Sequence, residues 1–183
     1  MQDWQSDLAC VLLTEEQISE RVRQLAGEIA GDYASRNPLL IGVLKGSIIF
    51  LADLIRALDM PLEVDLMCAS SYGQGADSSG AVNLLKDISQ DVQGRHVLIV
   101  EDIIDTGRTL SRLLSMMRKR GAASVAACCL LSKPARREVA VEVRYTGFEI
   151  PNEFVVGYGL DYAERFRGLP YVAVLKPEAY QSQ

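Results

Sequence analysis

Helix-like and strand-like patterns of hydrophobic residues alternate along the chain. Residues 14–17, TEEQ, have the form of a helix-capping box, and the apolar residues that follow recur at helical spacing, so we predict a helix from about Glu15 to Tyr33. Two further stretches predict helices at 47–58 and 109–120. Short apolar or alternating runs predict strands, at 39–44, 62–72, 96–100, 124–131, 154–160 and 171–175.

The order of these elements predicts the fold class. Apolar strands that alternate with helices favour an α/β fold with a mainly parallel, twisted sheet flanked by helices. The sequence contains no internal repeat and no linker, so we predict a single domain over residues 1–183. A Gly- and Ser-rich segment at 73–81 predicts a mobile loop, and residues 82–89 fit the second arm of a hairpin through that loop.

The composition is typical of a soluble globular protein. Of the 183 residues, 49% are hydrophobic and 23% are charged. No apolar run approaches the roughly 18 residues of a membrane span. The first twenty residues have no basic region, so we expect no signal peptide, no membrane association and a cytoplasmic location. The four cysteines fit no zinc-binding pattern, and we expect them to be reduced and to fill a core.

The charge balance restricts the classes of partner. A formal net charge of −5 and a pI of about 5.0 argue against a general nucleic-acid binder. An anionic substrate would have to be held by local groups or by a metal, because the overall field repels it. The single histidine, His96, opens a predicted strand and no G-x-S-x-G motif accompanies it, which argues against a serine hydrolase.

The stretch from Val97 to Leu114 links a predicted strand to a predicted helix through the segment Asp105-Thr106-Gly107-Arg108-Thr109. Backbone N–H groups at a helix start, together with the helix dipole, favour an anion. Gly107 allows the backbone to approach a ligand closely, and the two threonines add hydroxyl donors. This pattern predicts a cradle for one phosphate group, although the first three residues alone would also fit an ordinary helix cap.

Two carboxylates precede this cradle. Glu101 and Asp102 follow an apolar strand, where a charge is costly unless it has a partner. A carboxylate accepts hydrogen bonds from a sugar diol, or holds Mg²⁺ directly or through water. We therefore predict a sugar-phosphate site in which a metal balances the charges. The glycine patterns of P-loops and of dinucleotide-binding folds are absent from the sequence.

The segment VLIVEDIIDTGRTL, at 97–110, resembles the phosphoribosyl-diphosphate (PRPP) binding motif of purine phosphoribosyltransferases of the hypoxanthine-guanine type. Three further segments resemble that family in its order: LKGS at 44–47 for pyrophosphate, SSYG at 70–73 for a mobile loop, and 147–175 for the purine and the C-terminal part. The resemblance covers most of the chain. It implies the type I phosphoribosyltransferase fold, with a small hood from the terminal segments.

The resemblance implies an enzyme of purine salvage. Its reaction transfers the 5-phosphoribosyl group from PRPP to N9 of a 6-oxopurine, hypoxanthine and also guanine, and releases IMP or GMP and pyrophosphate. Asp105 is implied as the general base near purine N7, whereas the Arg108 side chain receives no catalytic role. The residues implied to bind PRPP are Lys45, Gly46, Glu101, Asp102, Asp105, Thr106, Gly107, Arg108, Thr109 and Arg167.

The resemblance also implies how the purine is held. Lys133 would donate a hydrogen bond to the 6-oxygen, Phe154 would stack on the ring, and the backbone of Val155 would bond the edge of the base. Asp161 lies in the same segment and completes the implied purine site. The peptide bond between Leu44 and Lys45 is implied to be cis.

The implied cofactor is Mg²⁺, with Asp161 as a direct ligand and Glu101 and Asp102 as further ligands. Ser71 and Tyr72 are implied to close over the site and to exclude water. The implied partners are the small molecules PRPP and a 6-oxopurine, without nucleic acid or membrane, and the implied assembly is a homodimer or homotetramer.

Two alternatives stay open at this point. One is a regulator on the same fold that binds PRPP or a nucleotide without catalysis, although Asp105, Lys133 and Asp161 are all present. The other is a phosphoribosyltransferase that prefers guanine or xanthine. The side chains do not distinguish these purines, because backbone groups are expected to contact the 2-position of the base.

Overall fold

The computed structural model describes residues 4–70 and 83–181. Four helices are present in these ranges: α1 Glu15–Tyr33, α2 Ile48–Ala57, α3 Arg108–Lys119 and α4 Pro177–Gln181. The first five strands are β1 Leu8–Leu13, β2 Leu39–Leu44, β3 Glu63–Ser70, β4 Asn83–Lys86 and β5 His96–Ile104. Four strands follow: β6 Ser124–Ser132, β7 Tyr145–Glu149, β8 Val155–Val156 and β9 Val172–Leu175. Short 3-10 turns lie at Trp4–Asp7 and Pro134–Arg136.

The main sheet has six strands in the order β4-β3-β2-β5-β6-β7. Every neighbouring pair is parallel except β3 and β4, which are antiparallel. From β2 the chain adds β3 and β4 on one side of the sheet, and then β5, β6 and β7 on the other side. The switch point therefore lies between β2 and β5, and such a point leaves a crevice beyond the carboxyl ends of the strands. The antiparallel pairing of β4 with β3 agrees with the hairpin that the sequence predicts.

Successive residues of the sheet belong to two different cores, because side chains alternate between the faces of a strand. Leu40, Leu98 and Leu130 pack with α1 and α2. Leu39, Val97 and Cys129 pack on the opposite face with α3. Within the described ranges, no helix has both the length and the apolarity needed to cross a membrane.

A smaller antiparallel sheet, in the order β1-β9-β8, joins the two ends of the described chain. Val155, Val172 and Val174 of this sheet belong to the same core as α1 and α2. The N-terminal 3-10 turn is tied to the far end of the chain, since Lys176 donates its backbone N–H to Asp7 O at 2.9 Å and its Nζ to Ser6 O at 2.7 Å. This sheet is the small hood that the sequence predicts.

The capping box before α1 is formed as predicted. Thr14 Oγ1 accepts a hydrogen bond from the Gln17 backbone N–H at 3.3 Å, and Gln17 Oε1 accepts one from the Thr14 N–H at 2.8 Å. These two bonds satisfy N–H groups that have no partner within the helix. The predicted helix from Glu15 to Tyr33 is therefore confirmed, and its apolar stripe is buried against the sheet.

The structure corrects several boundaries. β5 continues past the predicted end at residue 100, because Glu101, Ile103 and Ile104 pair with β6. Glu101 and Asp102 thus belong to the strand and do not follow it. The predicted strand at 154–160 is only β8, since its chain turns back through an isolated bridge between Gly157 and Leu160. β1 and β7 were not predicted. All four cysteines are free, but only Cys128 and Cys129 are buried and Cys10 is exposed.

Candidate active site

A cavity of about 350 Å³ opens at the carboxyl ends of β2 and β5 and at the start of α3. Its apolar lining comes from residues near the carboxyl ends of the strands, such as Val43 of β2 and Ile104 of β5. Its polar lining consists of seven of the residues selected from the sequence: Gly46, Glu101, Asp102, Asp105, Thr106, Gly107 and Thr109. The fold thus brings residues from two separate motifs together at the switch point of the sheet.

Residues 105–109, which are predicted to cradle a phosphate group, form the turn before α3 and the start of this helix. Gly107 caps this helix with φ +83°, a left-handed conformation that favours glycine, and a Cβ there would lie 2.8 Å from the Val139 carbonyl oxygen. The first intrahelical bond runs from Ser111 N–H to Gly107 O at 3.0 Å. Among the amide groups between Gly107 and Ser111, that of Arg108 donates to the Thr106 hydroxyl oxygen at 3.4 Å. The N–H groups of Thr109 and Leu110 have no carbonyl partner within the helix and are available to an anion.

A neighbouring loop supports the cradle. The Thr106 carbonyl oxygen accepts hydrogen bonds from the N–H groups of Glu138 and Val139, at 3.0 and 3.1 Å. Arg108 points away from the cavity and pairs with Glu138 at 2.6 Å on the surface. This arrangement agrees with the expectation that the Arg108 side chain has no catalytic role. These contacts use the Thr106 carbonyl oxygen and the Arg108 side chain, so they do not occupy the backbone N–H groups of the cradle.

Glu101 and Asp102 have no hydrogen-bond donor from a side chain among the described residues. Glu101 is buried, and burial together with the negative charge of Asp102 raises the pKa of its carboxyl group well above the usual value. Asp102 is partly exposed, but protein atoms closely surround its carboxyl group, and this burial raises its pKa to about 6. Both groups would gain from a ligand that supplies hydroxyl donors or positive charge.

Asp105 lies at the mouth of the cavity, on the loop between β5 and α3. Its Oδ1 atom is buried and lies 2.8 Å from Nε of Arg136, in an ion pair whose geometry is not that of a hydrogen bond. Arg136 belongs to the 3-10 turn after β6 and was not selected from the sequence. The carboxylate that is predicted to act as the base therefore has the guanidinium group of Arg136 as its neighbour.

A second opening adjoins the cavity and shares Leu44, Gly46 and Asp102 with it. The Leu44–Lys45 peptide bond is cis, as the resemblance implies. A Cβ on Gly46 would overlap the Asp102 carboxylate, so this position has room only for glycine. The charged residues of the opening come from three distant parts of the chain, namely Lys45, Asp102, Asp161, Glu164 and Arg167.

Lys133 follows β6 and is buried. Its backbone N–H donates to the Ile104 carbonyl oxygen at 2.9 Å, which fixes its position beside the end of β5. Burial lowers the pKa of its ammonium group, while the nearby negative charge of Asp105 opposes this shift. A buried ammonium group near a carboxylate is suited to donate to a carbonyl oxygen of a bound base.

Phe154 is 37% exposed and precedes β8. Tyr180 of α4 stacks on its ring, with centroids 4.8 Å apart and an interplanar angle of 23°, and Tyr162 meets it edge-on at 5.7 Å. Val155 is buried and pairs with Val174 of β9. The aromatic ring that is predicted to stack on the purine is therefore held by the C-terminal helix and by the hood.

The structure adds residues that the sequence did not select. Arg136, Glu164 and Tyr180 contact Asp105, Lys45 and Phe154 respectively. Each contact joins residues that are at least 26 positions apart, so no local motif could reveal it. The predicted loop-closing residues Ser71 and Tyr72 lie outside the described residues.

A family model described as the phosphoribosyl transferase domain matches residues 12–163. A bifunctional TilS/HprT protein of Listeria innocua is 54% identical over 175 residues, and the chain spans 27% of the length of that relative. The hypoxanthine-guanine phosphoribosyltransferase of Streptococcus pneumoniae is 51% identical over 178 residues, which cover 97% of this chain and 99% of the relative.

Solved structures give the same result. A hypoxanthine phosphoribosyltransferase from Staphylococcus aureus matches with a TM-score of 0.92 and 44% identity, over 96% of each chain. One from Trypanosoma cruzi matches with a TM-score of 0.90 and 44% identity, over 96% of this chain and 95% of that one. The predicted fold class and the predicted family are confirmed. The chain belongs to the phosphoribosyltransferase family, among the hypoxanthine-guanine phosphoribosyltransferases.

Proposed function

We propose that this chain transfers the 5-phosphoribosyl group from PRPP to N9 of hypoxanthine, and also of guanine. The products are IMP or GMP and pyrophosphate. The observation that carries this proposal is the cavity in which the α3 cradle and the carboxylates Glu101 and Asp102 face the same space. A phosphate group and a diol on the same ribose fit that combination of donors and acceptors.

The α3 cradle holds the 5′-phosphate in this proposal. Residues at the start of α3 line the cavity, and the hydroxyl groups of Thr106 and Thr109 add donors to the amides of this helix start. The ribose hydroxyls donate to Glu101 and Asp102, which lack side-chain donors of their own within the described residues. These hydrogen bonds to charged acceptors compensate for part of the cost of burying the two carboxylates.

The purine lies between Lys133 and Phe154. The Lys133 ammonium donates to the 6-oxygen, and the exposed part of the Phe154 ring stacks on the base, with Tyr180 behind it. The Val155 backbone bonds the edge of the base. Adenine carries an amino group where hypoxanthine carries the 6-oxygen, so a donor would face Lys133 and adenine is a poor substrate.

Asp105 is the general base. As N9 forms a bond to the ribose C1′ atom, the bond from C1′ to the pyrophosphate oxygen breaks and its electron pair leaves with pyrophosphate. The N7 proton of the purine passes to Asp105, so the product base carries no additional charge. Lys45 and Arg167 stabilise the departing pyrophosphate, because both lie at the opening beside Gly46.

Mg²⁺ fits this site as a cofactor. No cluster of three metal-binding side chains occurs among residues 4–70 and 83–181. Mg²⁺ commonly uses one or two carboxylates together with substrate phosphates, and Asp102 and Asp161 line the same opening. Asp161 is the proposed direct ligand, with Glu101 and Asp102 contributing through water. When bound, Mg²⁺ supplies positive charge that neutralises the pyrophosphate oxygens.

We propose a homodimer or homotetramer in the cytoplasm, without nucleic-acid or membrane partners. Ile48 and Ile49 at the start of α2 are 47% and 36% exposed, which supports burial of this face against a second copy. Light scattering of the purified chain tests the assembly.

The proposed closure by Ser71 and Tyr72 concerns residues outside the described part of the structure.

One assay tests the proposed function. The chain is incubated with PRPP and Mg²⁺ and with hypoxanthine, guanine, xanthine or adenine, and the nucleotide formed is measured. We expect IMP and GMP, little AMP, and one pyrophosphate released per nucleotide. PRPP binding without nucleotide formation would instead support a regulator, and dominant xanthosine monophosphate formation would support a xanthine-preferring enzyme.

A further inference from the structure

Glu164 bridges the two cations of the second opening. One carboxylate oxygen, Oε1, lies 2.9 Å from Nζ of Lys45, and the other, Oε2, lies 3.3 Å from Nη2 of Arg167. Lys45 and Arg167 are 122 positions apart in sequence, and the carboxylate joins them at one point of the surface. A group with two negatively charged oxygens on two cations has the contact pattern of one phosphate group.

The chain holds Glu164 in this position by its backbone. The Glu164 N–H donates to Asp161 Oδ2 at 2.9 Å, and Arg165 N–H donates to the Tyr162 carbonyl oxygen at 3.0 Å. Ala163 and Glu164 have φ values of +50° and +62°, which residues other than glycine seldom adopt. The loop accepts this conformation and places an acidic side chain between the cations.

Arg167 is oriented before any phosphate arrives. Its Nη1 donates to the Gly159 carbonyl oxygen at 2.9 Å, and its Nη2 lies 2.8 Å from Asp161 Oδ1. Its Nε is buried and has no hydrogen-bond partner among the described residues. Glu164 therefore adds a contact to a guanidinium group whose direction two other bonds already determine, and its removal leaves Arg167 in place.

Glu164 is exposed and remains ionised at neutral pH. The hydrogen bonds from Lys45 and then from Arg167 lower the pKa of its carboxyl group. Its contacts with these cations lie at the surface, where an ion pair contributes little to stability. The contacts of Glu164 contribute little to stability, but they occupy both cations that are proposed to bind pyrophosphate. A role in ligand binding therefore explains these contacts better than a role in folding.

We propose that Glu164 is an internal competitor of pyrophosphate, a counter-ion that pyrophosphate must displace from Lys45 and Arg167. This inference rests on the proposed function. Each time pyrophosphate binds, alone or as part of PRPP, two ion pairs with Glu164 are exchanged for two with phosphate oxygens. When pyrophosphate leaves, Glu164 returns to the cations. The residue thus lowers the affinity for pyrophosphate and speeds its release.

A competing and a supporting role of Glu164 predict opposite changes in the affinity for pyrophosphate when this residue is replaced. If Glu164 oriented Lys45 and Arg167 for the ligand, its removal would weaken the binding of pyrophosphate. If Glu164 competes, the same removal strengthens binding. The substitution Glu164→Gln keeps the shape and removes the charge, while Glu164→Asp keeps the charge on a shorter side chain.

The matched control is Glu20→Gln. Glu20 is also exposed and also forms an ion pair, with Arg23 at 2.6 Å, but it lies on the surface of α1. Glu164→Gln and Glu20→Gln each remove one negative charge from the protein, so a change in net charge affects both variants equally. Melting temperatures of all variants verify that each is folded.

The experiment measures binding of pyrophosphate with Mg²⁺ by calorimetry, and KM for PRPP and kcat in the forward assay. For Glu164→Gln we expect affinity for pyrophosphate about two- to fivefold higher and KM for PRPP lowered by a similar factor, the size expected for exposed ion pairs. The KM for hypoxanthine should stay unchanged. Glu164→Asp should lie between wild type and Glu164→Gln, and Glu20→Gln should equal wild type.

Unchanged or weaker pyrophosphate binding by Glu164→Gln would overturn the inference. An equal gain in Glu20→Gln would also overturn it, since the effect would then come from net charge. Failure of the wild-type chain to bind pyrophosphate or PRPP would count against the proposed function itself, and the wild-type titration therefore separates the two outcomes.

Discussion

Two buried carboxylates of the same sheet, Asp65 on β3 and Glu101 on β5, have opposite surroundings. They are 8% and 7% exposed. Asp65 accepts four hydrogen bonds, from the N–H groups of Leu66, Ser89 and Gln90 and from the Ser89 hydroxyl, at 2.7 to 3.1 Å. Glu101 accepts none from the described residues. Two residues of similar exposure thus differ in whether their carboxylates accept hydrogen bonds from the protein.

The pKa values follow this difference. Burial alone would raise the pKa of Asp65, but the backbone donors and the Ser89 hydroxyl outweigh it and lower the pKa. Burial and the charge of Asp102 raise the pKa of Glu101. Asp65 therefore joins the β3 strand to the segment before β5, whereas Glu101 is costly to the fold and is suited to receive donors from a ligand. The comparison separates a carboxylate whose hydrogen bonds stabilise the fold from one that is proposed to bind a ligand.

The largest effect is expected at a third carboxylate, Asp105, the proposed general base. General-base catalysis typically contributes about 10²–10⁴-fold in rate, so Asp105→Asn should lower kcat by that order. The affinity for PRPP should be roughly retained, because backbone amides and hydroxyls hold the phosphate. Single-turnover nucleotide formation, measured beside direct PRPP binding, tests this. Near wild-type chemistry in Asp105→Asn would mean that another group is the base.

A smaller effect, on binding, is expected for Glu101→Gln combined with Asp102→Asn. A hydrogen bond to a charged group contributes about 1.5–3 kcal/mol, so loss of the charges should weaken PRPP binding by roughly 10- to 100-fold. The rate should fall as well. Calorimetric titration with PRPP gives the affinity, and circular dichroism verifies the fold. Unchanged PRPP affinity would remove the basis for treating Glu101 and Asp102 as ligand acceptors.

Asp65→Asn should affect stability and leave binding unchanged. The amide keeps one oxygen acceptor but turns the other position into a donor that faces backbone N–H groups. We expect a loss of about 2 kcal/mol in the free energy of unfolding, the size typical of an unsatisfied buried polar group. Urea unfolding measures this, and PRPP titration of the same variant is the control. Weakened PRPP binding without loss of stability would break the comparison.

The smallest expected effect is the opposite pH dependence of stability in Asp65→Asn and Glu101→Gln. The lowered pKa of Asp65 stabilises the fold above the unfolded value of about 3.9, and this contribution is lost as pH falls through the folded value. The raised pKa of Glu101 means that its contribution is fully present below about 4.3 and is lost as pH rises through the folded value. Glu101→Gln should therefore be more stable than wild type at neutral pH.

Thermal melts without PRPP, between about pH 2.5 and pH 8, measure both differences. For Glu101→Gln we expect a gain of about 1 kcal/mol at pH 8, roughly 2–4 °C in melting temperature, which disappears towards pH 4. The deficit of Asp65→Asn should persist from pH 8 down to about pH 4 and should shrink only at lower pH, as the Asp65 carboxylate of wild type becomes protonated. A Glu101→Gln variant less stable than wild type at pH 8 would show that the Glu101 carboxylate has a donor in solution.

Local sequence patterns correctly predicted the elements whose signals are strong. α1 was predicted to its ends because the capping box and the apolar stripe are both local. The purely apolar β2 was likewise predicted with the correct bounds. β1 and β7 were missed, since their stability comes from pairing with β9 and β6 and their own residues give a weak signal.

The site was predicted to a similar extent. The residues of the cradle and the two carboxylates before it lie in one short segment, and the structure places them around one cavity. Lys45 and Arg167 were selected through the resemblance, and the structure brings both to one opening. Arg136, Glu164 and Tyr180 could not be selected, because an ion pair or a ring contact between distant residues leaves no periodic signal in the sequence.

The sequence by itself determined the alternation of helices and strands, the cradle at the start of α3 and the family, because hydrophobic periodicity, glycine positions and contiguous motifs are local properties. Only the tertiary structure decided which carboxylates are satisfied and which are not. Asp65 and Glu101 are both acidic residues in apolar strands. The motif around Glu101 predicted a ligand role, but nothing in the sequence around Asp65 predicted that its carboxylate accepts hydrogen bonds from Ser89 and Gln90. The distinction depends on donors from a segment 24 residues away at Ser89, since burial and hydrogen bonding are created when distant parts of the chain pack together.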